Sequence, residues 1–221
     1  MIKAILFDFD GTLADTIPAI TEGVNITMHH YGYPEHSEAA VRTFINQGAR
    51  HLIRSAMPKA LQSNESLVDE VFEHYSESYR LVHLNTKETY AGMRELVSRI
   101  HGIARVGVLS NKQDPHLRSL VEQVLEPGSF DGVQGVIQGH PAKPDPYLAN
   151  RLTAALGVKP EECALVGDSD IDILTAKNAG MLHIGVTWGY KSAEVLREKG
   201  ATLLANSVEE LEALLRERIG G

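Results

Sequence analysis

The sequence predicts an α/β protein built on a doubly wound parallel sheet, with a helical domain inserted into it. Short apolar strands alternate with amphipathic helices through most of the 221 residues, a pattern typical of a parallel sheet covered by helices on both faces. One stretch, 15–83, breaks this alternation and shows only helical periodicity. We therefore expect a Rossmann-like core from 1–14 and 84–221, and a separate helical domain from 15–83.

Six apolar runs are the predicted strands. They are KAILFDF near the N-terminus, ARVGVLS from Ala104, GVQGVIQ from Gly132, CALVGD from Cys163, HIGVTW from His183 and a weaker ATLLA from Ala201. Asp114 and Asp145 each precede a proline and are predicted to be helix N-caps. Gly157 is the predicted stop of the second of these helices.

Composition limits the partners and the location that the protein can have. The formal net charge of −8 argues against nonspecific binding to nucleic acid or anionic membranes, although a local cluster with a metal can still hold an anionic substrate. Cys163 is the single cysteine, so no internal disulfide is possible. The N-terminus has no signal-peptide pattern, and no apolar run approaches the ~20 residues of a membrane span. We expect a cytoplasmic protein with no nucleic-acid or membrane partner.

The first predicted strand ends in two carboxylates, within the segment LFDFDGTL. Because side chains alternate along a strand, Asp8 and Asp10 start out on one side of it. Two like charges at the edge of an apolar core repel each other and lose hydration. A bound cation, or a reaction that uses both carboxylates, is expected to offset that cost.

Polar side chains also follow the later strands, at what is expected to be one edge of the sheet. The second strand ends in SNK, the third is followed by AKPDP, and the fourth ends in GDSDID. These segments contribute Ser110, Asn111, Lys112, Lys143, Asp168, Asp170 and Asp172. We expect Asp170 to be a helix-start acid, and we leave Lys112 outside the predicted catalytic set.

These segments resemble the motifs of the haloacid dehalogenase superfamily, and the resemblance covers nearly the whole chain. DFDGTLADT is similar to the first motif, LSNK to the second, AKPDP to the third and GDSDID to the fourth. Single matches of this length are weak, but four in order at strand ends are a strong signal. Together with NQGARHLI and GVTWGY, they are most similar to the phosphoglycolate phosphatase-like branch. That resemblance implies a mobile helical cap and magnesium-dependent phosphoryl transfer.

The resemblance also implies roles for the acidic residues. Asp8 would attack phosphorus to form an aspartyl-phosphate, and Asp10 would protonate the leaving alcohol and then activate water. Asp8, the backbone carbonyl of Asp10 and Asp168 would bind Mg2+, while Asp172 would orient Asp168 or a metal-bound water. Mn2+ stays an open alternative because it also takes octahedral oxygen sites.

The remaining predicted residues would contact the phosphoryl group. Ser110 and the backbone at Asn111 would bind its oxygens, and Lys143 would add positive charge to them and hold Asp8 ionised. Each assignment has a simpler alternative. Ser110 and Asn111 are common turn residues, Lys143 could be a solvated loop lysine, and the motif-four acids could complement a helix dipole.

Within the predicted cap, INQGARHLI is the stretch that most suggests substrate recognition. Gly48 lies between two predicted helical segments, and Arg50 follows on the next turn. Its guanidinium is a candidate to pair with a substrate carboxylate. An exposed helix arginine without that role is an equal alternative.

The predicted reaction is hydrolysis of a small phosphorylated metabolite, a phosphoglycolate-like monoester. Pyrophosphate, nucleotides and sugar phosphates are alternative substrates, and a phosphomutase is an alternative reaction. A dehalogenase is disfavoured because the first motif has its second aspartate, and phosphonate cleavage because nothing marks Lys59 as a Schiff-base residue. A non-catalytic phosphate-binding regulator is disfavoured because it would not need both Asp8 and Asp10. A monomer and a homodimer are both compatible with the sequence.

Overall fold

A computed structural model of the protein describes residues 1–45 and 48–220, so two residues of the INQGARHLI stretch lie outside the described chain. The chain divides into two compact units, one of Met1–Asp15 with Glu88–Gly221 and the other of Thr16–Lys87. The second unit contains helices and no strand among its described residues. That it acts as a cap stays a prediction.

The larger unit is built on a six-stranded sheet, which confirms the predicted fold class. The strands are β1 Ala4–Phe7, β2 Arg105–Gln113, β3 Gly132–Val136, β4 Cys163–Gly167, β5 Leu182–Val186 and β6 Leu204–Ala205. Their order is β3-β2-β1-β4-β5-β6, and each neighbouring pair is parallel. Chain order therefore reverses between β1 and β4, and ligands of such sheets bind beyond the carboxyl ends of the strands at this point.

Helices account for most of the rest of the described chain. They are α1 Ile17–His30, α2 Glu38–Phe44, α3 Ala49–Ala56, α4 Glu65–Val82, α5 Met93–His101, α6 Asp114–Val124, α7 Tyr147–Leu156, α8 Asp170–Ala179, α9 Ala193–Glu198 and α10 Val208–Gly220. Among the described residues, no helix combines the length and the apolar character needed to cross a membrane.

Strand β1 is apolar throughout because both faces of the sheet are covered. Ile5 and Phe7 belong to a core cluster that includes residues of α5, α6 and α10. The alternate side chains, Ala4 and Leu6, belong to a second cluster that includes residues of α7 and α8. The strand thus carries a continuous apolar run, and the first polar side chain after it is placed at the carboxyl edge of the sheet.

Helix starts differ from the prediction at two points. Asp114 is wrong as an N-cap, since α6 begins at Asp114 itself, and its carboxylate accepts a hydrogen bond from the N–H of Gly135 at 2.9 Å. Asp145 is also wrong as an N-cap, since α7 begins at Tyr147, whose N–H donates to Asp145 Oδ1 at 2.8 Å. The predicted stop at Gly157 is confirmed, with a left-handed φ of 70°.

The helical unit has its own core. Helices α1 and α4 pack along each other, with the hydroxyl oxygens of Thr27 and Ser78 at 3.2 Å in their buried interface. Val24, Ile53 and Val71 lie in one apolar cluster shared by α1, α3 and α4. A hydrophobic core of its own is what a compact unit requires in order to fold as a domain.

His183, in β5, makes the stability of the larger unit depend on pH. Its two ring nitrogens are buried and have no hydrogen-bond partner among the described residues, and burial lowers its pKa to about 4. Since the unfolded chain binds the proton more tightly, stability is full above about pH 6.5 and falls as the pH approaches 4.

The variant His183→Leu lacks this titrating group, so its stability should not show this loss. When the pH falls from 8 to 5, we expect the free energy of unfolding of His183→Leu to rise by about 2 kcal/mol relative to that of the wild type. Urea unfolding at both pH values measures this, and an equal difference at both would contradict it.

Candidate active site

Lys143 joins three elements at the carboxyl edge of the sheet. Asp8 directly follows β1 and continues its pairing, since its N–H donates to the carbonyl of Val166 at 2.8 Å. Lys143 Nζ lies 3.0 Å from Asp8 Oδ1 and 2.6 Å from Asp172 Oδ1, and it donates to the carbonyl of Leu109 at 3.2 Å. The three side chains are buried, so these are charge pairs shielded from water.

Asp168 follows β4 and is held by the backbone and by a hydroxyl. Its Oδ2 accepts a hydrogen bond from the N–H of Tyr190 at 2.6 Å, and its Oδ1 accepts one from the Thr12 hydroxyl at 3.3 Å. Trp188 also ties these segments together, because its Nε1 donates to the Thr12 carbonyl at 3.1 Å. The segment after β5 thus supports the site, whereas from the sequence GVTWGY contributed only to the family resemblance.

Asp172 combines a structural role with its contact to Lys143. Ser169 is the N-cap of α8, and Asp172, at position N3 of the helix, completes a capping box with it. Asp172 Oδ2 accepts the Ser169 hydroxyl at 2.6 Å and the Ser169 N–H at 3.2 Å, which leaves Oδ1 facing Lys143. The helix-start alternative for this acid and its place beside Lys143 are therefore compatible.

Asp10 is held by two residues of β2, one of which the sequence reasoning left out. The Ser110 hydroxyl donates to Asp10 Oδ2 at 3.3 Å, and Lys112 Nζ lies 3.0 Å from Asp10 Oδ1. Strand β2 continues to Gln113, past the predicted end at Ser110. Residues two apart on a strand share a side, so this continuation brings Lys112 to the same carboxylate, with only 6% of its side chain exposed.

Carboxylate oxygens of Asp8, Asp168 and Asp172 lie within 4.8 Å of one another. With Asp10 included, the site holds four carboxylates and two ammonium groups, those of Lys112 and Lys143, so it has a formal excess of negative charge. Burial, and then the charge of Asp172, raise the pKa of Asp168 to about 7. The same two effects raise the pKa of Asp8 against the opposing charge of Lys143. The cluster fits a small divalent cation that prefers hard oxygen ligands, such as Mg2+.

The ionised state of Lys143 follows from its neighbours. Burial alone would lower the pKa of Lys143, but the carboxylates of Asp172 and Asp8 outweigh burial and raise it. Its charge is therefore retained in a place where water is largely excluded. A fixed cation in such surroundings is suited to stabilise an anionic group.

The other predicted residues have contacts within their own units. The Asn111 side chain contacts the backbone of Lys143, with 2.9 Å from Nδ2 to the carbonyl and 2.8 Å from the N–H to Oδ1. Gly48 and Arg50 belong to the helical unit, where Gly48 has φ of 85° and precedes α3. Arg50 donates to Asp69 Oδ1 at 2.7 Å and to Glu65 Oε2 at 2.8 Å. The predicted contacts of these residues with a substrate stay predictions.

The fold and the acid cluster at its topological switch define an α/β protein with a site suited to metal-assisted chemistry on an anion. The model of a family described as haloacid dehalogenase-like hydrolase matches residues 5–186. The chain belongs to this hydrolase family, as its four motifs predicted.

Curated relatives match the chain over nearly its full length. A phosphoglycolate phosphatase of Vibrio parahaemolyticus is 32% identical over 220 residues, covering 95% of this chain and 94% of that protein. One from Rhodospirillum rubrum is 30% identical, covering 100% of this chain and 92% of that protein. A crystal structure of a candidate phosphoglycolate phosphatase from Lactobacillus delbrueckii subsp. bulgaricus has a TM-score of 0.87 at 30% identity, covering 96% and 98% of the two chains.

Replacement of Gly11 should disturb the acid cluster directly. It has φ of 80°, and a Cβ at this position would overlap the carboxylate of Asp168. Gly157 also has a positive φ, but its Cβ would meet no atom within 4 Å. We expect Gly157→Ala to lose about 1–2 kcal/mol from backbone strain alone, and Gly11→Ala to lose more. Urea unfolding of the two variants measures the difference, and equal losses would argue against the overlap.

Proposed function

We propose that the protein is a Mg2+-dependent phosphatase that hydrolyses a small, phosphoglycolate-like phosphate monoester through an aspartyl-phosphate. The observation that carries this proposal is the convergence of Asp8, Asp168 and Asp172 at the switch point of the sheet, where buried Lys143 pairs with the first and the last of them. The relatives from Vibrio parahaemolyticus and Rhodospirillum rubrum, both phosphoglycolate phosphatases, support the substrate class.

In the first step, an oxygen of Asp8 attacks phosphorus and the bond from phosphorus to the ester oxygen breaks. The leaving alcohol takes its proton from Asp10, so neutral alcohol departs and the phosphoryl group remains on Asp8. The contacts of Asp10 with Ser110 and Lys112 hold its carboxylate on the side of β2. Lys143, 3.0 Å from Asp8, favours the ionised form that attack requires.

In the second step, water attacks phosphorus and the bond to Asp8 breaks. Asp10 takes a proton from that water, which regenerates Asp8 and releases inorganic phosphate. Ser110 and the backbone at Asn111 would donate to the phosphoryl oxygens, with Lys143 supplying charge. Splitting the reaction in this way replaces one slow displacement by two faster ones.

Asp8, Asp168 and the backbone carbonyl of Asp10 would hold the magnesium ion, with Asp172 beside them. When bound, the ion supplies positive charge that offsets the carboxylates and the phosphoryl oxygens. The oxygen-only donor set and the raised pKa of Asp168 are the features that support this assignment.

Turnover of a phosphate-ester panel is the experiment that tests the proposal. The panel contains phosphoglycolate, pyrophosphate, sugar phosphates and nucleotides, each measured with Mg2+ and after chelation. We expect phosphoglycolate hydrolysis that chelation abolishes, and a loss of at least about 10^3-fold in kcat for Asp8→Asn, since no nucleophile remains.

Asp170→Asn is the matched control, because Asp170 lies in the same motif and begins α8 without belonging to the acid cluster. It should keep most of the activity. If Asp8→Asn were as active as the wild type, the proposed aspartyl-phosphate intermediate would be contradicted. Turnover that survives chelation would contradict the proposed metal requirement.

Arg50 is the proposed contact for the carboxylate of the substrate. Its ion pairs with Glu65 and Asp69 are largely exposed, so they contribute little to stability and can be exchanged for a new partner. We expect Arg50→Ala to raise the KM for phosphoglycolate about tenfold, the value of a charged hydrogen bond, and to leave the KM for p-nitrophenyl phosphate unchanged.

Arg54→Ala is the control for this prediction. Arg54 also binds Glu65, at 2.6 Å, so its removal disturbs the same acidic partner. A rise in KM that is equal in both variants would assign the effect to the ion-pair network, and an unchanged KM in Arg50→Ala would remove the contact.

A further inference from the structure

The segment that carries Lys143 has little regular structure of its own. It joins the end of β3 at Val136 to the start of α7 at Tyr147. Local hydrogen bonds stabilise its turns, such as the one from the Asp145 N–H to the Ala142 carbonyl at 2.9 Å. Backbone groups near the buried lysine still require partners, because unpaired N–H and C=O groups are costly away from water.

Side-chain amides from two neighbouring elements supply such partners. Asn111, in β2, accepts from the Lys143 N–H at 2.8 Å and donates to the Lys143 carbonyl at 2.9 Å. Its amide thus binds the backbone at two points, as a peptide group of an adjacent strand would. Asn178, in α8, donates to the carbonyl of Pro144 at 2.9 Å.

The same two elements also hold the other end of the lysine side chain. Strand β2 provides the Leu109 carbonyl and helix α8 provides Asp172, both within hydrogen-bond distance of Lys143 Nζ. A lysine side chain has many rotamers, with an entropy of about 2 kcal/mol. Fixing the backbone and the ammonium group together restricts that freedom, and so sets the distance from Nζ to Asp8.

We propose that Asn111 and Asn178 are positioning residues that clamp the Lys143–Pro144 backbone and thereby place the Lys143 ammonium group beside Asp8. This inference rests on the proposed function, since it gives the clamp its catalytic meaning. In this proposal the Asn111 side chain binds the backbone of Lys143, while the Asn111 backbone would contact the phosphoryl group. Asn178 lies outside the four motifs and receives no role from them.

A double-mutant cycle separates an effect through Lys143 from an independent one. We expect Asn111→Ala to lower kcat/KM about 10- to 100-fold, as a displacement on the order of 1 Å does, and Asn178→Ala to lower it less. In a Lys143→Ala background, Asn111→Ala should change kcat/KM by less than about twofold. Asn150→Ala is the matched control, since Asn150 is exposed on α7, and it should leave activity unchanged.

Hydrogen–deuterium exchange of segment 137–146 gives a readout that needs no turnover. Asn111→Ala should speed exchange in this segment while urea unfolding shows the rest of the protein still folded. Unchanged exchange would overturn the inference. So would a double variant whose loss of kcat/KM equals the product of the losses in Asn111→Ala and Lys143→Ala alone. Either result would leave the phosphatase proposal intact. If the wild-type protein hydrolysed no ester of the panel, the proposed function would be contradicted, and the clamp would then have no catalytic role.

Discussion

The ion pairs that Lys143 makes with Asp8 and Asp172 are the interaction on which the site depends. Buried pairs of this kind recover little more than the cost of taking their charges out of water, so overall stability is a weak reason for the sequence to contain them. Their effect is local: one cation holds Asp172, in α8, at 2.6 Å and Asp8, after β1, at 3.0 Å. Without it, the carboxylates of Asp8 and Asp172 would face each other with their charges uncompensated, and burial would raise the pKa of Asp8 further.

Parallel sheet geometry explains how residues so far apart in sequence reach one place. β1 and β4 are neighbours in the sheet, and they deliver Asp8 and Asp168 from adjacent carboxyl ends. The end of β2 serves two purposes because its side chains alternate. Ser110 and Lys112 hold Asp10 on one side, and the residue between them holds the Lys143 backbone.

Most of the fold was predictable because it depends on patterns that are local in sequence. Apolar runs located the strands to within a few residues, and four short motifs located the acid cluster. Two features were not predictable in this way. The extension of β2 past Ser110 depends on pairing with β3, where the register shifts between Leu109 and Gln113, so Lys112 gave no sign that it would be buried. The side-chain partners of Asn111 and Arg50 likewise depend on which elements pack beside them.

The balance of charge in the site connects its acids to the anion that it is proposed to bind. The protein carries a formal net charge of −8, and its acid cluster adds a local excess of negative charge, so both oppose the approach of a phosphate ester. The positive charges of the two buried lysines offset part of this negative charge, and a divalent cation would offset the rest. An anionic substrate then meets fixed positive charge in a region of low dielectric, where each interaction is stronger than in water. The acids that would repel the substrate in the absence of metal are therefore the groups that would bind the cation that attracts it.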